Sequence, residues 1–270
     1  MASTTHKAIF ITGGGSGIGR ATAQLFAARG WRVGLADVNA AGLAETAALL
    51  PAGMASTYVM DVRDRDAWVA TLDAFTAASG GQLDVLFNNA GIGSGGPLAE
   101  TGFAEIDRVI AINLMGALNG ARIGYAYLAR TPGSCMLNTA SASAIYGSAG
   151  LVPYSMTKFA VRAMSEGLDG EWAHAGADGG GIKVRALLPS FIDTPLLASP
   201  VEGSNRSIRE TVTGAGLELT PVAAVAEAAW AAVHGDPVLT YVGKTAQRMK
   251  FAARWMPGQL RKTMRRRPRG

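Results

Sequence analysis

Short apolar runs alternate with longer segments of helical periodicity along almost the whole of this 270-residue chain. Residues 8–12, 33–37, 56–60, 85–88, 135–139 and 184–188 predict buried strands, and residues 18–29, 40–50, 64–78, 103–129 and 152–175 predict the helices between them. Parallel strands need a long crossover connection, which a helix supplies, and a strand covered on both faces loses its polar alternation. The pattern therefore predicts an α/β fold, a single parallel sheet doubly wound with helices on both faces. No linker divides it, since the turn-rich stretch 176–181 is too short to separate domains. Residues 195–220 break the rhythm with Pro195, Pro200, Gly203, Gly214 and Gly216, and predict a mobile lid. The expected organisation is one catalytic domain over residues 1–243 and a basic helical extension over residues 244–270.

Composition narrows the class. Hydrophobic residues make up 49% of the chain and charged ones 17%, and its 35 glycines follow no short period, which excludes disordered and collagen-like chains. The lone cysteine, Cys135, forms no intrachain disulfide and sits in an apolar run, as a structural residue in a reducing compartment would. Residues 1–7 lead directly into the first strand without the apolar stretch of an export signal, so a cytoplasmic location is expected.

The net charge of +5 is unevenly spread. Ten basic residues and no acidic ones lie from Lys244 onward, leaving fifteen basic against twenty acidic before it. The body is thus mildly acidic, and no nucleic-acid partner is expected from a basic tail alone. Within that tail Phe251, Trp255, Met256, Leu260 and Met264 fall near helical spacing, interrupted by Pro257 and Gly258, which predicts two short amphipathic helices. Three readings stay open for them: contact with an anionic membrane surface, packing at a subunit interface, or a solvated end. No apolar run approaches the roughly 20 residues needed to span a bilayer.

Two places carry chemistry. The first strand opens into Gly13-Gly14-Gly15-Ser16-Gly17-Ile18-Gly19 and then a helix. Glycines there allow backbone to approach a pyrophosphate, and the helix N-terminus offers unpaired N–H groups. Asp37 ends the second strand, where a carboxylate accepts ribose hydroxyls and repels a 2′-phosphate, and no Lys or Arg occurs from 33 to 51. NAD is expected over NADP; the other reading of Asp37 is a cap for the following helix. Tyr154 and Lys158 stand four apart, on one helical face, with Ser141 thirteen residues upstream. A phenol with an ordinary pKa of about 10 needs a neighbouring cation to shuttle protons at neutral pH, and Lys158 is spaced to provide it.

Taken together, these motifs resemble the short-chain dehydrogenase/reductase family over essentially the whole chain. Thr12-Gly13-Gly14-Gly15-Ser16-Gly17-Ile18-Gly19 is similar to its nucleotide loop, Asp61-Val62 to its adenine-contacting pair, and Asn88-Asn89-Ala90-Gly91 to the motif after its fourth strand. Asn113 corresponds to its catalytic-helix asparagine, and Ser141, Tyr154 and Lys158 to its active-site trio. The resemblance implies a Rossmann-type sheet of about seven strands in the order 3-2-1-4-5-6-7. It also implies a homodimer or homotetramer using helices 103–129 and 152–175. The cofactor residues it implies are Gly13, Ser16, Gly17, Ile18, Gly19, Asp37, Asp61, Val62, Asn89, Ala90, Gly91, Tyr154, Lys158, Pro189, Ile192 and Thr194. One departure stands out: Ser190 replaces the glycine that usually follows Pro189, which bears on the shape of the pocket near the nicotinamide.

The expected activity is NAD-dependent interconversion of a secondary alcohol and a ketone through Ser141, Tyr154, Lys158 and Asn113. In this scheme Lys158 lowers the tyrosine pKa, Ser141 orients the reacting oxygen, and Asn113 completes a proton relay to the lysine. No metal is expected. Ser143, Ile145, Gly147, Val152, Phe191, Leu196 and Leu197 are candidate pocket residues, and their apolar bias suggests a hydrophobic substrate. A catalytically inactive NAD-binding sensor or scaffold of the same fold is the alternative, and sugar-nucleotide epimerase chemistry is disfavoured by the glycine loop.

Overall fold

A computed structural model describes residues 6–176, 179–194, 197, 207–214 and 217–265. Its centre is one sheet of seven strands: β1 Ala8–Thr12, β2 Arg32–Asp37, β3 Ala55–Val59, β4 Val85–Asn88, β5 Cys135–Thr139, β6 Lys183–Pro189 and β7 Leu239–Val242. They lie in the order β3-β2-β1-β4-β5-β6-β7, and every neighbouring pair is parallel. This is the Rossmann-type, doubly wound arrangement.

Strand pleating assigns alternate side chains to opposite faces. Ile9, Ile11, Val33, Leu35, Phe87 and Leu137 point to one face, where helices α1 Gly17–Ala28, α2 Ala40–Ala48 and α8 Val222–His234 cover them. Ala8, Phe10, Leu86, Met136 and Val184 point to the other, beneath α3 Arg65–Ala78, α5 Gly116–Leu128 and α6 Val152–Glu171. Because both faces are covered, Phe10, Phe26, Trp68, Phe75 and Phe87 are fully buried. Truncating any one of them costs about 3–5 kcal/mol.

The span 103–129, read from its periodicity as one helix, divides into α4 Phe103–Ile110, a π-helical turn Ala111–Met115, and α5. Helix α8 and the edge strand β7, the seventh strand that the resemblance implies but the apolar pattern does not locate, complete the sheet, and a short helix α7 Ile208–Gly214 lies within the predicted lid. Beyond β7 come α9 Lys244–Trp255 and α10 Pro257–Met264, matching the two expected amphipathic helices. Helix α9 packs against the short turn Ala142–Ala144 that follows Ser141. Half of the predicted lid falls outside the described residues, and Leu196 with it. Among the described residues no helix is long and apolar enough to cross a membrane.

Candidate active site

The C-terminal ends of the parallel strands converge on a cleft of about 540 Å³, where open α/β sheets place their ligands. At its floor the glycine loop turns with positive φ at Gly13 and Gly17. A Cβ on Gly19 would lie 2.1 Å from the Gly13 carbonyl oxygen, so only glycine lets α1 close onto the loop there. Gly19 itself does not line the cleft, whereas Gly13, Ser16, Gly17 and Ile18 do. Gly19 packs α1 against the loop.

Asp37 lines the cleft at the end of β2. Its Oδ2 accepts from the Gly15 amide at 3.0 Å and its Oδ1 from the Asn39 amide at 3.0 Å. The cap of α2 is Asn39, whose side chain accepts from Gly42 N, so Asp37 is not spent as a helix cap. Asp61 and Val62 line the same cleft after β3. Three hydrogen bonds from the Arg63 side chain hold the Asp61 carboxyl below its ordinary pKa.

Thr12 and Asn89 tie the first half of the sheet to the second. Thr12 Oγ1 accepts from the amides of Asn89 and Ala90, and Asn89 Nδ2 donates to the Thr12 carbonyl at 3.0 Å. Thr139 Oγ1 donates to Asn89 Oδ1, and the Thr139 carbonyl accepts from Lys158 Nζ at 2.9 Å. A continuous polar chain thus runs from the glycine loop to the lysine. Sequence reading left Thr139 unassigned, although its position at the C-terminal end of a central strand is the signal that would have found it.

Ser141, Tyr154 and Lys158 all line the cleft. Ser141 is the cap of the Ala142–Ala144 turn, its Oγ accepting from the Ser143 amide at 3.1 Å. Lys158 is 4% exposed, and its Nζ lies 5.7 Å from the Tyr154 ring centroid. Burial pushes the ammonium down to about 8. Tyr154 keeps part of its surface open, yet burial of the phenol raises its pKa above the usual value, with the Ser141 hydroxyl pulling the other way. The expected depression by Lys158 is not what this arrangement gives. In the low-dielectric pocket, desolvation of the phenolate outweighs a cation that is itself desolvated.

Asn113 occupies the centre of the π-turn and is 1% exposed. Its Oδ1 accepts from Ile92 N at 2.8 Å and its Nδ2 donates to Ile92 O at 2.9 Å, clamping the loop segment that follows Gly91. It does not line the cleft. A Cβ on Gly91 would lie 3.2 Å from Asn113 Oδ1 and 3.4 Å from Lys158 Nζ, so both polar atoms reach the same point. Asn88 lies deeper, donating to Asn138 Oδ1 at 3.0 Å, and Asn138 donates in turn to Ser165 Oγ on α6.

Pro189 at the end of β6, and Ser190, Ile192, Thr194 and Leu197 beyond it, line the cleft. Ser190 takes no left-handed backbone conformation. Its amide donates to the Val242 carbonyl, and its Oγ lies 3.4 Å from Thr220 Oγ1. Space for that hydroxyl comes from Gly243, where a Cβ would lie 2.3 Å from Ser190 Oγ. The glycine absent at 190 is offset by one that stands opposite.

The substrate candidates scatter. Gly147 and Val152 border a second groove between α6 and α10. Ser143 gives its amide to Ser141, Ile145 packs into a small core cluster with Ala144 and Val161, and Phe191 accepts from Thr220 N through its carbonyl. None of these three lines the cleft or the groove. Arg63 and Arg108 do line the cleft, unforeseen from sequence, each paired with a nearby carboxylate, Asp61 and Glu105.

Comparison with known proteins agrees with this geometry. The chain is 32% identical over 268 residues to a probable oxidoreductase, EphD, of Mycobacterium tuberculosis, covering 95% of this chain but only 44% of that protein's length. It is 33% identical over 225 residues to a meso-2,3-butanediol dehydrogenase of Serratia marcescens, covering 82% and 85% of the two. Among solved structures, a short chain dehydrogenase/reductase from Burkholderia phymatum in complex with NAD superposes with a TM-score of 0.81 at 26% identity, over 100% of this chain and 99% of that one. Residues 7–205 match the pattern of the short chain dehydrogenases. With the sheet order and the cleft, that match shows that the chain belongs to the short chain dehydrogenase family.

Proposed function

We propose that the protein is an NAD-dependent oxidoreductase interconverting a secondary alcohol and a ketone. The observation that carries this reading is the meeting of Ser141, Tyr154 and Lys158 with Asp37 in one cleft. Bound NAD would accept or return hydride at the reacting carbon. The residues fit that group. The positive-φ glycine loop leaves room for a pyrophosphate, and the two oxygens of Asp37 keep lone pairs for ribose hydroxyls beside their bonds to Gly15 and Asn39.

NAD is favoured over NADP because the cations around the cleft are already engaged. Arg63 and Arg108 hold Asp61 and Glu105, and Arg20 donates to Glu45, Thr46 and the Gly15 carbonyl. The Burkholderia relative, bound to NAD, supports the same choice.

In the oxidative direction Tyr154 takes the hydroxyl proton and Ser141 holds the reacting oxygen, while Lys158 is the residue that would hold the ribose of bound NAD. Asn113 acts as a positioning residue through Ile92 and Gly91. Ile92, Ile192 and Leu197 give the cleft apolar walls, which support a hydrophobic substrate. The Serratia relative, named for a diol, sets the contrasting class for a screen. Exposed Phe103, Leu118 and Tyr125 on α4 and α5 support self-association along that helix pair.

The test is absorbance of reduced nicotinamide with NAD or NADP and matched panels of hydrophobic alcohols and small polyols. Oxidation should accelerate as pH rises into the alkaline range, because the base is a phenol held above its ordinary pKa. Tyr154→Phe should bind NAD normally and lose about 10²–10⁴ in turnover. A Tyr154→Phe protein with wild-type turnover would sink the mechanism, and no turnover on any alcohol with intact NAD binding would favour a nucleotide-binding scaffold.

A further inference from the structure

Behind the wall of the cofactor cleft stands a cation that takes part in no step of the proposed reaction. Arg20 lies in the first turn of α1, is half-buried, and does not line the cleft. Its Nη2 donates to the Gly15 carbonyl at 2.6 Å and to Glu45 Oε2 at 2.8 Å, while its Nε donates to Thr46 Oγ1 at 2.9 Å. Thr46 is fully buried and donates in turn to the Gly42 carbonyl at 2.9 Å. The guanidinium is thus fixed against the first turns of α2 while it grips the glycine loop. A planar fork with several donors suits that task, and a lysine ammonium on one flexible stem does not.

Gly15 stands between this guanidinium and Asp37. Its carbonyl is held by Arg20, and its amide donates to Asp37 Oδ2 at 3.0 Å. The Asn39 amide holds the other carboxylate oxygen. Two backbone donors therefore set the plane of the carboxylate, and one of them belongs to a glycine. Glycine has the widest backbone freedom of any residue, so a donor on it keeps its direction only when the residue is held on both sides. Upstream, the Gly14 amide is tied to the Ala36 carbonyl; downstream, the Arg20 bond supplies the hold. Space favours glycine here despite that freedom. A Cβ on Gly15 would lie 3.0 Å from Asp37 Oδ2, and one on Gly42 would lie 2.8 Å from the Gly15 carbonyl oxygen.

We propose that Arg20 is a positioning residue for cofactor choice. Through Gly15 it keeps the Asp37 carboxylate turned toward the ribose hydroxyls, and so helps set the preference for NAD over NADP. The inference rests on the NAD reading above and deepens it, because part of the selectivity moves from Asp37 to a side chain outside the cleft.

Calorimetric titration of the full chain with NAD and with NADP tests it and needs no alcohol. The parent should bind NAD more tightly than NADP. Arg20→Met should weaken NAD about tenfold or more and leave NADP as tight as in the parent or tighter, since a carboxylate free to turn away neither accepts the ribose hydroxyls nor faces a 2′-phosphate. Arg20→Lys, which keeps one donor for the Gly15 carbonyl, should show an intermediate preference. In an Asp37→Ala background, Arg20→Met should weaken NAD no further, the non-additivity of two residues acting through one contact. Equal weakening of both dinucleotides overturns the proposal, as do losses that add in the double variant; Arg20 is then only a strut between α1 and α2. Retained NADP binding shows that Arg20→Met is folded. Should it bind neither dinucleotide, Arg20→Lys decides: a lowered preference for NAD upholds the proposal and an unchanged one overturns it. A parent that binds NADP as tightly as NAD sinks the NAD reading and this inference with it. A selective parent whose Arg20 variants stay equally selective sinks the inference alone.

Discussion

At the scale of single residues, Lys158 shows what the site costs the fold. The residue is 4% exposed, and among the described residues its ammonium donates only to the Thr139 carbonyl. Its pKa falls from 10.5 in the unfolded chain to about 8. Between those values the unfolded state holds the proton that the folded state has released. The lysine's contribution to stability therefore rises with pH from about 8 to 10.5. At pH 7 the buried charge costs on the order of 3 kcal/mol. Lys158→Met should unfold at higher urea than the parent at pH 7, lose most of that advantage near pH 10.5, and turn over no alcohol. Equal urea midpoints at pH 7 would show that the Thr139 bond repays the burial. Asn113 presents the opposite case. Its amide satisfies both backbone groups of Ile92, so Asn113→Leu should cost about 2–4 kcal/mol by leaving two polar groups unpaired, readable as a lowered denaturation midpoint.

Elements were legible where their signals were local. The strands β1, β4 and β5 announced themselves as apolar runs between turn residues, and Asp64 correctly marked the start of α3, accepting from the amides of Asp66 and Ala67. The strand β7 was not visible because an edge strand of four residues, three of them half-buried, has neither a long apolar run nor clean alternation. Helix α8 is so rich in alanine that no polar face marks its period. The π-turn escaped for another reason, since one extra residue per turn shifts the backbone hydrogen bonds while leaving the apolar spacing nearly intact. The chemistry of the site was legible as residue types at fixed spacing. Its connections were not, because Thr12, Asn89 and Thr139 meet only once the strands pair. The same holds for Ser190 and Gly243, separated by β7 and α8 in sequence but touching in the fold. Gly243→Ala should therefore destabilise the protein by about 2 kcal/mol or more, from a steric clash added to a φ of +91°. Ser190→Gly should restore part of that loss by removing the hydroxyl, leaving the φ penalty. A double mutant no more stable than Gly243→Ala alone would refute the pairing.

On the scale of the whole molecule, direction matters more than any one contact. All seven strands run the same way, so the sheet has one end that carries the cleft and another that carries none. His6 enters at the empty end, its ring bonded to the Gly30 carbonyl beside the start of β2. The other end of the described chain lies with α9 against the turn after Ser141 and α10 beside the first turns of the tyrosine helix. The molecule is therefore polar as a building block. A carrier protein or surface anchor joined ahead of residue 6 hangs from the blank side and should leave kcat/KM unchanged. The same cargo joined after residue 265 emerges over the working side and should raise KM for bulky alcohols, a difference that a pair of otherwise identical fusions would measure. Of two ways to immobilise this protein, only one leaves its entrance facing the solution.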